Sequence, residues 1–190
     1  MKTNKNIGNQ TIISKYNSSI EGVYSNYLNN SIITSQRELS PWTIGTTYDF
    51  INKNVLNTTL YNDTDNTLSM YINGEKTAEN EFGDIGSKQQ KTKFMIGALQ
   101  SNNTPSYFYS GALKEIIIIN KAVTRIEQQQ IHYYLSKKWG LEDSIDSDGD
   151  GVVDSKDEFP LDSSNVVDIA VEVGTHSSDA QTVFESLKNN

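Results

Sequence analysis

From Gln10 to Lys121 the chain is built of short runs rich in Ile, Val, Thr and Tyr, separated by Asn, Gly, Ser and Asp. That is the signature of strands and turns. The runs are 11–16, 23–28, 31–36, 42–49, 54–61, 67–74, 92–99 and 107–120. Eight strands at this spacing select a β-sandwich or jelly roll, because a parallel sheet would need helices between them. In "MYINGEK", Asn73-Gly74 suits a type I′ hairpin, whose two central residues need positive φ. The loop 62–67, "NDTDNT", reads as a second hairpin connection.

One helix follows the strands, in "TRIEQQQIHYYLSKKWGL". Thr124 and Glu127 form a Thr-x-x-Glu capping box, and Gly140 supplies the stop. Lys137 and Lys138 occupy the last turn, where the helix dipole favours cations. Ile126, Ile131, Tyr134 and Leu135 make an apolar stripe expected to lie on the sandwich. His132 reads as a packed or surface histidine, and His176 has no partner motif. Trp42 and Trp139 read as packing residues.

Charge divides the chain. Residues 1–141 hold 14 Lys and Arg against 11 Asp and Glu, whereas residues 142–190 hold 2 against 13. A nearly neutral body with scattered lysines excludes nucleic acid as the expected partner, since phosphate binding needs a clustered basic face. The acidic segment calls for cations. No cysteine is present, which removes disulfides and thiolate metal sites. No apolar run approaches the roughly 20 residues of a membrane helix, so the expectation is a soluble chain, exported with its signal removed or lying upstream.

Within the acidic segment, "DSDGDGVVDSKDEFPLD" places carboxylates at positions 1, 3, 5, 9 and 12 of a loop: Asp146, Asp148, Asp150, Asp154 and Asp157. Gly151 sits at position 6, and Val152 at position 7 offers its carbonyl. Ca2+ takes six to eight hard oxygens in flexible geometry, and this spacing wraps a tight loop around one ion. A sensor needs flanking helices to swing. Here Gly140 ends the helix before the loop, Pro160 blocks one after it, and position 12 is Asp rather than Glu, so a structural ion is expected.

Two family resemblances sharpen this picture. The loop resembles a bacterial thrombospondin type 3 repeat at Asp146, Asp148, Asp150, Gly151, Asp154, Asp157, Phe159 and Pro160, and "DSSNVVDIA" does not continue the pattern. Residues of about 10 to 141 are similar, through "TIISKY", "WTIGTTYD", "LSMYINGEK", "FMIGAL", "YSGALKEIIIIN" and "YLSKKWGL", to a laminin-G-like domain of the concanavalin-A-like superfamily. Such domains usually begin with further strands, of which only about ten polar residues stand here. The resemblances imply a mainly β, jelly-roll sandwich over 1–141 with one short C-terminal helix. A calcium linker over 142–165 follows, then a strand-helix tail over 166–190 that begins a further domain or caps the sandwich.

The implied function is binding of a carbohydrate or an extracellular protein by a secreted or cell-surface protein. A carbohydrate-binding accessory module of a polysaccharide-degrading enzyme and a plain spacer are the alternatives. Catalysis of the jelly-roll glucanase type needs paired carboxylates on one strand as Glu-x-Asp-x-x-Glu. No Glu-x-Asp occurs, and the cluster Glu79, Glu81 and Asp84 has the wrong order, so no enzyme is expected. For a sugar surface the available residues are Tyr107, Phe108, Tyr109, Trp42 and the loop Asn62, Asp63, Asp65, Asn66, and none is singled out. Along a strand, alternation would bury Phe108 and expose its neighbours, or the reverse.

Overall fold

Antiparallel pairing of neighbours in sequence builds most of the molecule, as short connections dictate. The computed structural model describes residues 1–4, 8–17, 20–29, 32–37, 43–82 and 92–164. Trp42, Asp84, His176 and the expected tail 166–190 lie outside them.

The larger sheet holds seven strands. Its path is β11 (Thr104–Ser106), β10 (Leu99–Ser101), β2 (Asn9–Asn17), β3 (Ile20–Asn29), β4 (Ile32–Arg37) and β5 (Thr43–Thr47), with β9 (Met95–Ile96) also on β2. The smaller sheet is β6 (Asn57–Asn62), β7 (Thr67–Ile72) and β8 (Glu75–Glu81). A two-stranded ribbon pairs β1 (Lys2–Thr3) with β12 (Gly111–Ala112). Between the two main sheets lies one core. Ile12, Leu28, Ile33 and Ile44 come from the larger sheet, Leu68, Met70 and Ile72 from alternate positions of β7, and Phe50 and Val55 from the connecting segment. Each such side chain contributes about 1.5–3 kcal/mol by leaving water. The fold is a mainly β sandwich.

The β7–β8 turn has Asn73 at φ 53° and Gly74 at φ 93°, the two positive values that the Asn-Gly dipeptide foretells. Helix α1 (Arg125–Trp139) carries the reciprocal capping box of Thr124 and Glu127 and ends on Gly140 at φ 60°.

Two expectations are corrected, and one further strand is explained. Among the described residues, the run 107–120 pairs in a ladder at Gly111–Ala112 alone, opposite the two residues of β1. Ile117, Ile118 and Ile119 consequently stay exposed. Strand β8 has no apolar alternation to announce it, since its residues EKTAENE form the outer strand of the small sheet. The face that α1 buries is polar: Gln128, Gln129, His132 and Ser136 join Leu135, while Ile126 and Tyr134 face solvent. Gln129 and Ser136 meet the acidic loop, at Asp148 and Asp154, while His132 meets Thr58 of β6.

Candidate metal site

The chain leaves α1 at Gly140 and turns back immediately. Leu141 N–H donates to Ser136 O at 2.9 Å and Ile145 N–H to Leu141 O at 3.0 Å. Ile145 is fully buried. Asp146 N–H then donates to Asn73 O at 3.1 Å, and Asp154 N–H closes the loop on Ile145 O at 2.8 Å.

Inside that closure the aspartates fold their own backbone. Asp146 accepts from Gly149 N–H at 2.7 Å on Oδ1 and from Gly151 N–H at 2.8 Å on Oδ2. Asp148 Oδ1 accepts from Asp150 N–H at 3.2 Å, and Asp150 Oδ1 from Val152 N–H at 2.7 Å. The bonds accepted by Asp148 and Asp150 are Asx turns, and those accepted by Asp146 reach further along the loop; all are local bonds for which aspartate is suited. Gly149 and Gly151 sit at φ 79° and 100°, where a side chain would strain the loop.

These turns bring Asp146, Asp148 and Asp150 together, with one carboxylate oxygen from each inside a mutual distance of 4.8 Å. Two oxygens on opposite sides of a Ca2+ bound at about 2.4 Å would stand ~4.8 Å apart, so the cluster has the dimension of one coordination sphere. Asp148 is only 2% exposed. Its Oδ2 and that of Asp150 are buried without a hydrogen-bond partner. A buried acceptor with nothing to accept from is costly, and a hard cation would satisfy both. Burial, followed by the Asp150 charge, pushes the Asp148 carboxyl up to about 6, with Asp157 and Asp146 adding to the rise. The donor set is all oxygen, which suits Ca2+ and not a soft metal.

The remaining sequence-derived positions are placed differently. Asp154 directs Oδ1 to Ser147 N–H and Oδ2 to Ser147 Oγ–H, both at 2.8 Å, and is 4% exposed. Its carboxyl is pushed up by burial against the pull of the neighbouring Ser136 and Ser147. Asp157 uses Oδ1 to accept from Phe159 N–H at 2.7 Å. Val152 is tied in through its N–H.

Besides Asn73, three residues outside the motif contact the loop. Arg125 Nη2 and Gln129 Nε2 both donate to the Asp148 carbonyl, at 2.8 and 3.1 Å. They stand four residues apart, on one helix face. Gly74 meets the loop so closely that a Cβ there would stand 1.7 Å from Asp146 O.

Elsewhere, Tyr107 (φ 54°) and Phe108 are both exposed, and Tyr109 is half-buried. The alternation expected of a strand fails because β11 ends at Ser106 and Tyr107 turns the backbone. Asn62 and Asp65 bond each other across the β6–β7 turn at 2.9 Å. Glu79 accepts from Ser69 Oγ–H at 2.6 Å and from Lys76 at 2.9 Å. Trp139 donates Nε1–H to Glu115 at 2.8 Å. A cleft of about 630 Å³ opens beside β6, lined by apolar residues including Ile12, Val55, Leu68 and Leu135, with His132 at its wall.

No family model and no curated protein matches the chain. Among the described residues, no helix is long and apolar enough to cross a membrane. Solved structures do resemble it. The CBM40 module of the Ruminococcus gnavus IT-sialidase, bound to α2,3-sialyllactose, superposes with a TM-score of 0.56 at 11% identity, covering 65% of this chain and 73% of that one. A second structure of that module gives 0.56 at 12% identity over 66% and 75%. At such identity the likeness establishes the architecture alone: this chain has a β-sandwich fold.

Proposed function

We propose that the chain is a non-catalytic binding module of a secreted or cell-surface protein, with carbohydrate as its ligand class and one structural Ca2+ in the loop 146–157. The observation that carries the metal is Asp148: 2% exposed, its Oδ2 without a partner, and clustered with Asp146 and Asp150. Asp146, Asp148, Asp150, Asp157 and the Val152 carbonyl would hold the ion, with Asp154 bracing the loop through Ser147. The ion neutralises crowded carboxylates. The carbohydrate reading is supported by the fold, since a module of this architecture is named with bound sialyllactose.

Titrating Ca2+ into the chelator-treated chain by calorimetry is expected to give one site, abolished in Asp148→Ala. Calcium at 100 times its Kd adds about 2.7 kcal/mol to stability, read as a rise in Tm. No heat and no rise in Tm would sink the metal reading. A glycan array carrying sialylated and neutral glycans tests the ligand class, and a blank array would favour a spacer. Similarity to an enzyme's own module favours the accessory-module setting over an adhesin, which the neighbouring domains of the parent protein decide.

A further inference from the structure

We infer that the acidic loop is locked into the sandwich module rather than jointed to it, and that Arg125 and Gln129 are positioning residues that set its Ca2+ affinity from outside the coordination sphere. The inference rests on the calcium reading above.

Two separate elements grip the loop. One is the β7–β8 turn. Asn73 O accepts from Asp146 N–H, and Gly74 packs on Asp146 O with no room for a side chain. That turn is itself fixed to the sandwich: Asn73 Oδ1 accepts from Leu56 N–H at 2.9 Å, Asn73 N–H donates to Leu56 O at 2.8 Å, and Asn73 Nδ2 donates to Tyr48 Oη at 3.2 Å. The other is α1, whose Arg125 and Gln129 converge on the Asp148 carbonyl. This carbonyl belongs to the residue with the orphaned Oδ2, and Asp148 Oδ1 in turn orients Asp150. Fixing one peptide therefore aims two carboxylates. Partners that orient metal ligands from behind typically govern affinity by about 10–100-fold. By linkage, whatever calcium gains from this preorganisation it returns to α1 and the β7–β8 turn as stability.

Charge complicates the choice of variant. Arg125 repels a cation in the loop, so removing its charge would strengthen binding while losing the grip would weaken it. The neutral change Gln129→Leu and the charge-preserving Arg125→Lys separate the two. In the full chain, calorimetric Ca2+ titration is expected to show about tenfold weaker binding for Gln129→Leu and for Arg125→Lys, with any fall in calcium-free Tm measured separately in chelator. Hydrogen exchange should show calcium protecting the amides of Ile72 and Asn73 as well as those of the loop, and protecting them less in the variants at equal calcium. Wild-type chain that binds no calcium overturns the calcium reading. Wild type that binds, with variants of equal affinity or protection confined to 141–157, overturns this inference alone.

Discussion

His132 lies within α1, and its burial gives the module a measurable response to acid. The side chain is 1% exposed, with Nε2 3.0 Å from Thr58 Oγ1 and its ring edge-on to Tyr71 at 6.1 Å. Burial lowers its pKa from 6.5 to about 4, with the Asp146 charge pulling weakly the other way. A folded pKa below the unfolded one means that the unfolded chain takes up the proton first. Stability is therefore whole above pH 6.5 and is lost as pH falls to about 4. At about 1.36 kcal/mol per pKa unit, the gap is worth ~3 kcal/mol. Asp148 opposes it in calcium-free protein. Its carboxyl is raised to about 6, so the folded chain binds that proton more readily and acid favours the fold there. Wild-type pH dependence alone mixes the two. His132→Gln keeps a polar group for Thr58 and cannot titrate. Urea midpoints for both proteins at pH 7.5 and pH 4, in chelator, give the difference that isolates the imidazole. The variant is expected to gain about 3 kcal/mol relative to wild type between those pH values. A difference that does not change with pH would mean that the imidazole is protonated in the folded chain and would refute the burial argument.

Three further variants probe the connections. Gly74→Ala places a methyl group against Asp146 O at φ 93°; backbone strain alone costs roughly 1–2 kcal/mol, and the overlap should also weaken calcium binding. Gly151→Ala has φ 100° but open space around it, so it should show the strain in its urea midpoint without the steric term, and equal losses at the two sites would argue against the contact. Thr124→Ala removes the hydroxyl that accepts from Glu127 N–H at 3.2 Å, with an expected loss of about 1 kcal/mol in the same denaturation assay.

Local chemistry was the legible part of this chain. Asn73-Gly74, the Thr124–Glu127 box, Gly140 and the Asp-x-Asp-x-Asp spacing each depend on residues a few positions apart, and each folds as its residue types require. Pairing over distance was not legible. Nothing in "YSGALKEIIIIN" reveals that Gly111 and Ala112 are where, among the described residues, the run finds a partner strand, because that depends on β1 more than a hundred residues away. Strand β8 was hidden for a related reason: on the outside of a three-stranded sheet its backbone pairs while its side chains stay wet, so hydrophobic alternation is not required.

The polar face of α1 was visible in the sequence and open to a different interpretation. Arg125, Gln129, His132 and Ser136 recur at intervals of four, three and four, which is as helical a period as the Ile131–Tyr134–Leu135 stripe. Periodicity says that a face is distinct; it does not say which face is buried. An apolar stripe turns inward when the surface it meets is apolar. Here the helix meets the Asp148 carbonyl, Thr58 and the surroundings of Asp154, so the polar stripe turns inward instead. A buried Gln or His needs a partner of matching chemistry, and the chain supplies Asp148 nineteen residues after Gln129 and Thr58 of β6 for His132. The helix and the acidic loop are therefore one unit of sequence design: removing the loop would leave Gln129 without its partner, and replacing the polar stripe by leucines would leave the Asp148 carbonyl without its donors.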